Sequence, residues 1–354
     1  MGIHILVLNL GSTSTKVAIF KDKESLFEST LRHPVEVTSQ ELIDQAEYRY
    51  DAILEFLETN KFDKKDIDII SARGGLLKPV AGGTYEINAQ MVEDISTNKY
   101  GNHASNLSGI IANRFKEELG VPAVITDPVV VDELLDEVRM TGLKGIERKS
   151  IFHALNQKAV GRKFAESVNR EYDDMNLIVA HMGGGITVGA HRKGKVIDVN
   201  DGLAGEGPLS PTRSGSIPND VLIKYVLDNK LTYDEAYKRI TREGGFVSLA
   251  NTNDALELEN KAIAGDKHAD TIYTVLAVQL AKEVASRAAV LKGKVDQIIF
   301  TGGLAYSKYL IERVSPYIEF IAGITVYPGE EEMQALAEGA YRVYTKEEPL
   351  KTYE

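Results

Sequence analysis

The sequence predicts an α/β protein of two lobes made by internal duplication, and three observations carry this. Short apolar, β-rich segments alternate with segments of helical period, the pattern of a mainly three-layer α/β architecture. A strand–turn–strand pattern near the start returns about half a chain later. The chain of 354 residues also favours two domains over one.

Residues 3–10 are apolar and β-rich, GSTST interrupts them, and Val17 to Phe20 resume, which reads as a hairpin. The pattern recurs in LIVAHMGGGITVGAHRKGKVID (177–198). An ungapped slide places Asn9 on His181 and Gly11 on Gly183, and each copy has a second turn, at KDKE (21–24) and RKGK (192–195). SQELIDQAEYRYDAILEFLETN (39–60) predicts a helix opened by a Ser or Thr cap, and ASNLSGIIANRFKEELG (104–120) one ended by glycine. DIDIISA (66–72), PAVITD (122–127) and VDQIIFTGG (295–303) predict strands. Residues 219–292 are almost wholly helical in pattern, an insertion in the second half, and 331–346 predict a last helix that crosses back onto the first lobe. The expected division is 1–131 with 333–354 as the first lobe and 132–332 as the second.

The chain carries a formal net charge of −11, so it offers no electrostatic footprint for nucleic acid or anionic membrane, and an anionic substrate needs a local cationic cluster. With no cysteine, disulfides, thiolate metal sites and thiol catalysis are excluded together. The opening MGIHILVLNLGS has neither a basic region nor a small-residue cleavage site, and no run approaches the ~18 apolar residues of a membrane span. The expectation is a cytoplasmic protein.

Three turns carry the chemistry. NLGSTSTK (9–16) presents a glycine, four hydroxyls and Lys16 between two strands, groups able to bind phosphate oxygens, although it is not a Walker loop. HMGGGIT (181–187) offers three glycines that let an anion approach the backbone. TGGLAYS (301–307) ends a buried strand in two glycines before a helix, placing a ligand at the strand's carboxyl end. Each turn alone is also what an ordinary hairpin or loop contains.

Together, in this order, they resemble the acetate and sugar kinase, Hsp70 and actin superfamily. That resemblance implies a duplicated actin-like ATPase (ribonuclease H-like) fold with a nucleotide cleft between two lobes. The first two turns would hold phosphates and the third adenosine. N-x-G-S-x-S-x-K at 9–16, HASNL at 103–107, HMGGG at 181–185 and TRSG at 212–215 resemble the acetate kinase family. ARGGLLKPVAGGTYEIN (72–88), DPVVVDE (127–133), SPTRSGSIPND (210–220) and YPGEEEMQALAEGA (327–340) extend the likeness over essentially the whole chain.

The resemblance implies roles residue by residue. Asn9, Ser12, Ser14 and Lys16 match the first phosphate loop. Gly183, Gly184 and Gly185 match the second, and Gly302 and Gly303 the adenosine turn. Arg73 and Arg213 match the two active-site arginines, Asp127 an acid tied to catalysis and metal, and His181 the histidine at the transferred phosphoryl. His103 falls in the HASNL-like stretch beside the acyl substrate. Asn9, Asp127 and one acid of the GEEE run, Glu330 in preference to Glu331 or Glu332, would hold Mg²⁺. Plainer readings exist: Arg73 in a surface ion pair, His103 as a cap, His181 as a core histidine, the glutamates as helix-opening acids. Asn9 is the hardest to explain structurally, because a buried amide needs partners.

The implied reaction is reversible, direct in-line transfer of the ATP γ-phosphoryl to a short-chain carboxylate, giving acyl phosphate and ADP. A carboxylate is already ionised at neutral pH and needs no general base. It does need relief from phosphoryl repulsion, about 4 kcal/mol for two unit charges at 4 Å and an effective dielectric of 20. Guanidinium groups and Mg²⁺ suit that task. In the acetate kinases an aromatic precedes the histidine taken as equivalent to His181, and a larger residue stands near Gly74 or Gly75. Ala180, Gly74 and Gly75 therefore predict a pocket for a C3 to C5 acid such as butyrate, with branched acids, propionate and acetate as alternatives. A sugar kinase and a non-transferring, chaperone-like or filament-forming ATPase are the more distant readings. The family also implies a homo-oligomer, dimeric or larger.

Overall fold

The computed structural model describes residues 2–354, which divide into two compact units, one of the residues up to Val131 with Glu331–Glu354, the other Asp132–Glu330. The first unit is built on a six-stranded sheet of order β3-β2-β1-β4-β6-β5. Its strands are β1 (His4–Leu10), β2 (Ser14–Lys21), β3 (Glu24–Arg32), β4 (Ile69–Ala72), β5 (Thr84–Glu86) and β6 (Ala123–Thr126). β1 pairs antiparallel with β2 and parallel with β4, which continues parallel into β6. The central strand is apolar on both faces, and Ile5 to Leu10 are all buried. That is what a strand covered by helices on both sides requires.

The second unit holds a five-stranded sheet of order β11-β10-β7-β8-β9. These strands are β7 (Asn176–Met182), β8 (Ile186–Arg192), β9 (Lys195–Val199), β10 (Gln297–Gly302) and β11 (Ile324–Pro328). Again the first strand, β7, pairs antiparallel with β8 and parallel with β10, which runs parallel to β11, while β9 adds antiparallel to β8. The two sheets thus repeat one topology, the duplicated actin-like ATPase fold.

The repeat extends to irregularities. β1 and β7 start and end at positions that match in the ungapped slide, Asn9 opposite Lys16 and His181 opposite Thr187. The turn after β7 is one residue shorter than the turn after β1, so the slide loses one residue there. Past that point a β-bulge falls between Ile19 and Phe20 in one copy and between Ala190 and His191 in the other. A left-handed residue then opens the following turn, Asp22 at φ 56° and Lys193 at φ 51°.

The helices follow the sequence pattern with one shift. The segment 39–60 forms a 3₁₀ turn at Leu42–Gln45 before its helix, Ala46–Thr59, and that helix has no side-chain cap. The reason is local. Gln45 is buried, its amide donating to the Gln40 carbonyl and its oxygen accepting from Arg49. Asn106–Leu119 ends on Gly120 in the left-handed conformation that glycine adopts without cost. Five helices fill the insertion, from Asn219–Asp228 to the 24-residue Lys267–Val290, whose apolar side packs on β7, β8 and β9. Glu332–Tyr344 packs in the first unit on β1, β4 and β6, closely enough that a Cβ at Gly339 would lie 2.2 Å from Thr126 Oγ1. Among the described residues no helix is long and apolar enough to cross a membrane.

Candidate functional site

In the first unit the amide of Asn9 is the hub. Asn9 is the second-last residue of a buried strand and 4% exposed. Its Nδ2 donates to Glu332 Oε2 at 2.7 Å, and its Oδ1 accepts from Arg73 Nη1 at 3.2 Å. Arg73 and Glu332 approach to 3.6 Å. The buried amide therefore has its partners, and it fixes two charged side chains of opposite sign. Asp127 follows β6 and is 1% exposed. It takes φ 40°, a strained value for a residue with a side chain, and its Oδ1 accepts from the Gly83 N–H at 2.7 Å.

The turn after β1 is shaped from below by Arg49, which sequence reading passed over as a helix residue. Its fully buried guanidinium donates to the carbonyls of Gly11 at 2.9 Å, Ser12 at 3.1 Å and Ser14 at 3.3 Å. With these carbonyls drawn inward, Ser12 and Lys16 remain exposed and Ser14 half-buried. His33 packs on the same turn, its Nε2 2.8 Å from Thr15 Oγ1. Burial, with the Arg49 charge nearby, lowers the His33 pKa to about 4.

In the second unit the second-last residue of β7 is His181, 1% exposed, whose Nδ1 donates to Asn156 Oδ1 at 2.8 Å. Its Nε2 lies 3.1 Å from Glu330 Oε1. The ring of His153 stacks on it, centroids 3.8 Å apart and planes at 12°. The turn Gly183–Gly185 passes these groups to Arg213, whose Nε and Nη1 are buried with no hydrogen-bond partner among the described residues. Burial holds the Arg213 pKa below its ordinary value, opposed by Asp201, yet a guanidinium stays charged at neutral pH. A half-buried cation whose Nε and Nη1 are buried and unanswered can receive an oxyanion. The arginine's loop is hooked to the turn: Ser210 Oγ and Thr212 Oγ1 both donate to the Gly184 carbonyl, at 2.6 and 3.0 Å. A Cβ at Gly185 would fall 1.5 Å from Arg213 Nη1, and one at Gly183 3.2 Å from His181 Nε2, whereas Gly184 faces open space. In the third turn Gly303 is likewise open. Gly302 at φ 87° sits so close to Met182 that a Cβ would lie 2.5 Å from its carbonyl oxygen.

Several expectations are corrected. Ala180 does not line a pocket: strand alternation turns it away from His181, into the core with Ile178, Met182 and Phe300. Gly74 and Gly75 do not make room for substrate either. A Cβ at Gly74 would meet Pro128 Cβ at 2.8 Å and one at Gly75 would meet Asn106 Oδ1 at 2.2 Å, so both are small for packing. An aromatic followed by a histidine does occur in the chain, as Phe152–His153. Together with the polar start of the helix Ala154–Ser167 it was the signal that could have found His153, Asn156 and Gln157. His103 is exposed, with Nδ1 accepting from the Ser105 N–H at 3.2 Å and lying 2.7 Å from Ser105 Oγ. The protein around the ring and the Arg73 charge hold its pKa below the ordinary histidine value. Of the acidic run, Glu330 lies against His181, and Glu332 is the residue bound to Asn9.

Among the described residues no three His, Asp or Glu side chains gather into a metal cage. The oxygens present, Glu332 beside Asn9 and Asp127, fit an ion such as Mg²⁺ that takes one or two carboxylates and completes its shell with water and phosphate.

Two copies of one strand–turn–strand unit, each with a polar side chain one residue from the end of its central strand and a glycine- or hydroxyl-bearing turn after it, fit a phosphotransferase of the actin-like ATPase fold. The model of the Acetokinase family matches residues 139–344. Butyrate kinase 2 of Clostridium acetobutylicum is 49% identical over 355 residues, covering 100% of both chains. The chain belongs to the acetokinase family. In fold it is similar to the acetate kinase of Porphyromonas gingivalis, with TM-score 0.77 and 22% identity over 97% of this chain and 100% of that one. It is also similar to a propionate kinase of Francisella tularensis, with TM-score 0.74 and 22% identity over 95% and 98%.

Two expectations can be checked directly. Gly185→Ala should displace the Arg213 guanidinium and lower kcat/KM about tenfold or more with the fold intact by circular dichroism; unchanged kinetics would show that Arg213 is not held by this turn. His33 is neutral when folded, so below its free value near 6.5 the unfolded chain takes up a proton that the folded chain refuses until about pH 4. Stability should therefore fall over that window as pH drops. Between pH 7 and 5 the protein should lose about 1 kcal/mol more than His33→Gln in urea denaturation, allowing for solvent screening.

Proposed function

We propose that the chain is a butyrate kinase, transferring the γ-phosphoryl of ATP reversibly to butyrate or a similar C3 to C5 carboxylate. It is a short-chain fatty acid kinase, a phosphotransferase with a carboxyl acceptor. The choice of butyrate rests on the full-length likeness to Butyrate kinase 2, since the pocket argument from Ala180, Gly74 and Gly75 has lapsed. The observation that carries the chemistry is Arg213, half-buried, with its Nε and Nη1 buried and unanswered beside a glycine turn that also adjoins His181.

The geometry supports the following roles. Arg213 takes oxygens of the phosphoryl in motion and offsets the charge that spreads over them in the transition state. His181 and His153 act as hydrogen-bond donors to the same oxygens. Arg73, oriented by Asn9, counters the carboxylate. The turns at Gly11–Ser14 and Gly183–Gly185 offer backbone N–H groups to phosphates, Lys16 adds charge, and Gly303 leaves space for adenosine. Bound with ATP, Mg²⁺ would neutralise phosphate charge, and Glu332 with Asn9, together with Asp127, would hold it. Because the acceptor arrives ionised, no residue is needed as general base and the transfer is direct.

The test is turnover with ATP and Mg²⁺ over a series of acids from acetate to valerate, linear and branched, trapping the acyl phosphate with hydroxylamine. Butyrate or a C3 to C5 neighbour should give the highest kcat/KM. A preference for acetate would overturn the size assignment, and turnover with sugars alone would overturn the acceptor class. Arg213→Lys should keep the charge and still lower kcat about tenfold or more, because an ammonium cannot bind an oxyanion through two parallel N–H groups.

A further inference from the structure

Behind the histidine pair lies a buried polar chain that the roles above do not use. Tyr172 Oη is 2.7 Å from His191 Nδ1, His191 Nε2 is 3.0 Å from Gln157 Oε1, and Gln157 Nε2 is 2.8 Å from Thr187 Oγ1. Thr187 Oγ1 is in turn 2.9 Å from His153 Nδ1. His191, Gln157 and Thr187 are each 0% exposed. The local sequence brings them together. Thr187 and His191 share one face of β8, with Gly189 between them, and a Cβ there would lie 2.4 Å from Gln157 Oε1. His153 and Gln157 stand one turn apart where the helix Ala154–Ser167 begins, the Gln157 N–H donating to the His153 carbonyl.

The direction of every proton in the chain follows from donor and acceptor inventories. Gln157 Nε2 also reaches the Thr187 carbonyl oxygen at 3.0 Å, which only accepts, so this end of the amide is the donor. Its other end, Oε1, therefore accepts, and His191 Nε2 must carry a hydrogen. A neutral His191 then accepts from the Tyr172 hydroxyl at Nδ1. Thr187 Oγ1 accepts from Gln157, and its own hydrogen has one acceptor in the chain, His153 Nδ1. A buried hydroxyl left without an acceptor would cost about 1–3 kcal/mol. His153 Nδ1 is thus the accepting nitrogen, and the ring proton sits on Nε2.

We propose that this chain is a tautomer-setting device, and that Gln157 and Thr187, backed by His191, are positioning residues that keep His153 a neutral Nε2–H donor. The proposal rests on the reading of His153 as a donor in phosphoryl transfer and adds what fixes its proton. The ring nitrogens of a histidine are chemically distinct, and a histidine in the wrong tautomer turns a lone pair where a hydrogen bond is needed. Stacking at 3.8 Å makes the assignment matter twice, because a charge on His153 would be packed face to face against the neighbouring imidazole.

Long-range ¹H–¹⁵N spectra of the protein labelled at histidine nitrogens read the tautomer directly, without substrate. His153 should show a protonated Nε2 and an unprotonated Nδ1. Thr187→Val, which keeps shape and removes the hydroxyl, should shift His153 toward the Nδ1–H form and lower kcat for the acid about tenfold or more, with KM within about twofold. Thr187→Ser should restore both. A wild-type His153 protonated at Nδ1 overturns the proposal, and that spectrum decides even if the valine variant does not fold. A valine variant that keeps the Nε2–H form overturns it as well. A shifted tautomer with unchanged kcat overturns the positioning role while leaving the kinase assignment standing. Failure of the wild-type protein to phosphorylate any carboxylate would instead strike the kinase assignment, and the spectra would still decide the tautomer.

Discussion

A hydrogen-bonding side chain at the second-last position of a fully buried central strand must be given partners, and both units are organised around that demand. Asn9 in β1 and His181 in β7 occupy equivalent positions of the repeat. In a region without water an unmatched amide or imidazole would cost more than a typical hydrogen bond returns. The first unit answers with charge, placing Arg73 on the amide oxygen and Glu332 on the amide nitrogen. The second answers with Asn156 on one ring nitrogen, the Glu330 carboxylate by the other and a stacked imidazole on the ring face. The site residues are the partners that this demand collected.

The two copies retain their shared origin in features that have no side-chain chemistry. The bulge at Ile19–Phe20 and at Ala190–His191, and the left-handed residue that follows each, are backbone events. What differs is what each turn does. Arg49 draws the carbonyls of the first turn inward, leaving hydroxyls and Lys16 outside. The second turn is a residue shorter and has no side chains, so Arg213 can lie against it. One scaffold thus presents hydroxyls in one place and a guanidinium in the other.

Glycine proved to have more than one meaning. Gly185 yields space to a charged side chain, Gly184 and Gly303 face open space, and Gly74, Gly75 and Gly302 are small because protein presses on them. A sequence shows the missing side chain in each case but not which atom stands where it would have been. The pocket reading of Gly74 and Gly75 failed for that reason, and that of Ala180 because its strand turns it into the core.

By itself the sequence determined the architecture and picked out the candidate site residues that sit in distinctive turns. Strand–helix alternation, the half-length repeat and the motifs around Asn9, Arg73, Asp127, His181 and Arg213 were legible because they depend on local pattern: period, turn chemistry and spacing. Arg49, His153, Asn156 and Gln157 were not legible, since each looks like an ordinary helical or helix-opening residue until its partners, 25 to 38 positions away, are known. The choice of Glu332 as the acid on Asn9 was likewise decided by the way its helix lies on β1, β4 and β6. Burial is a property of the folded chain, and it is burial that turns these polar side chains from interchangeable surface groups into ones with a single permitted set of hydrogen bonds.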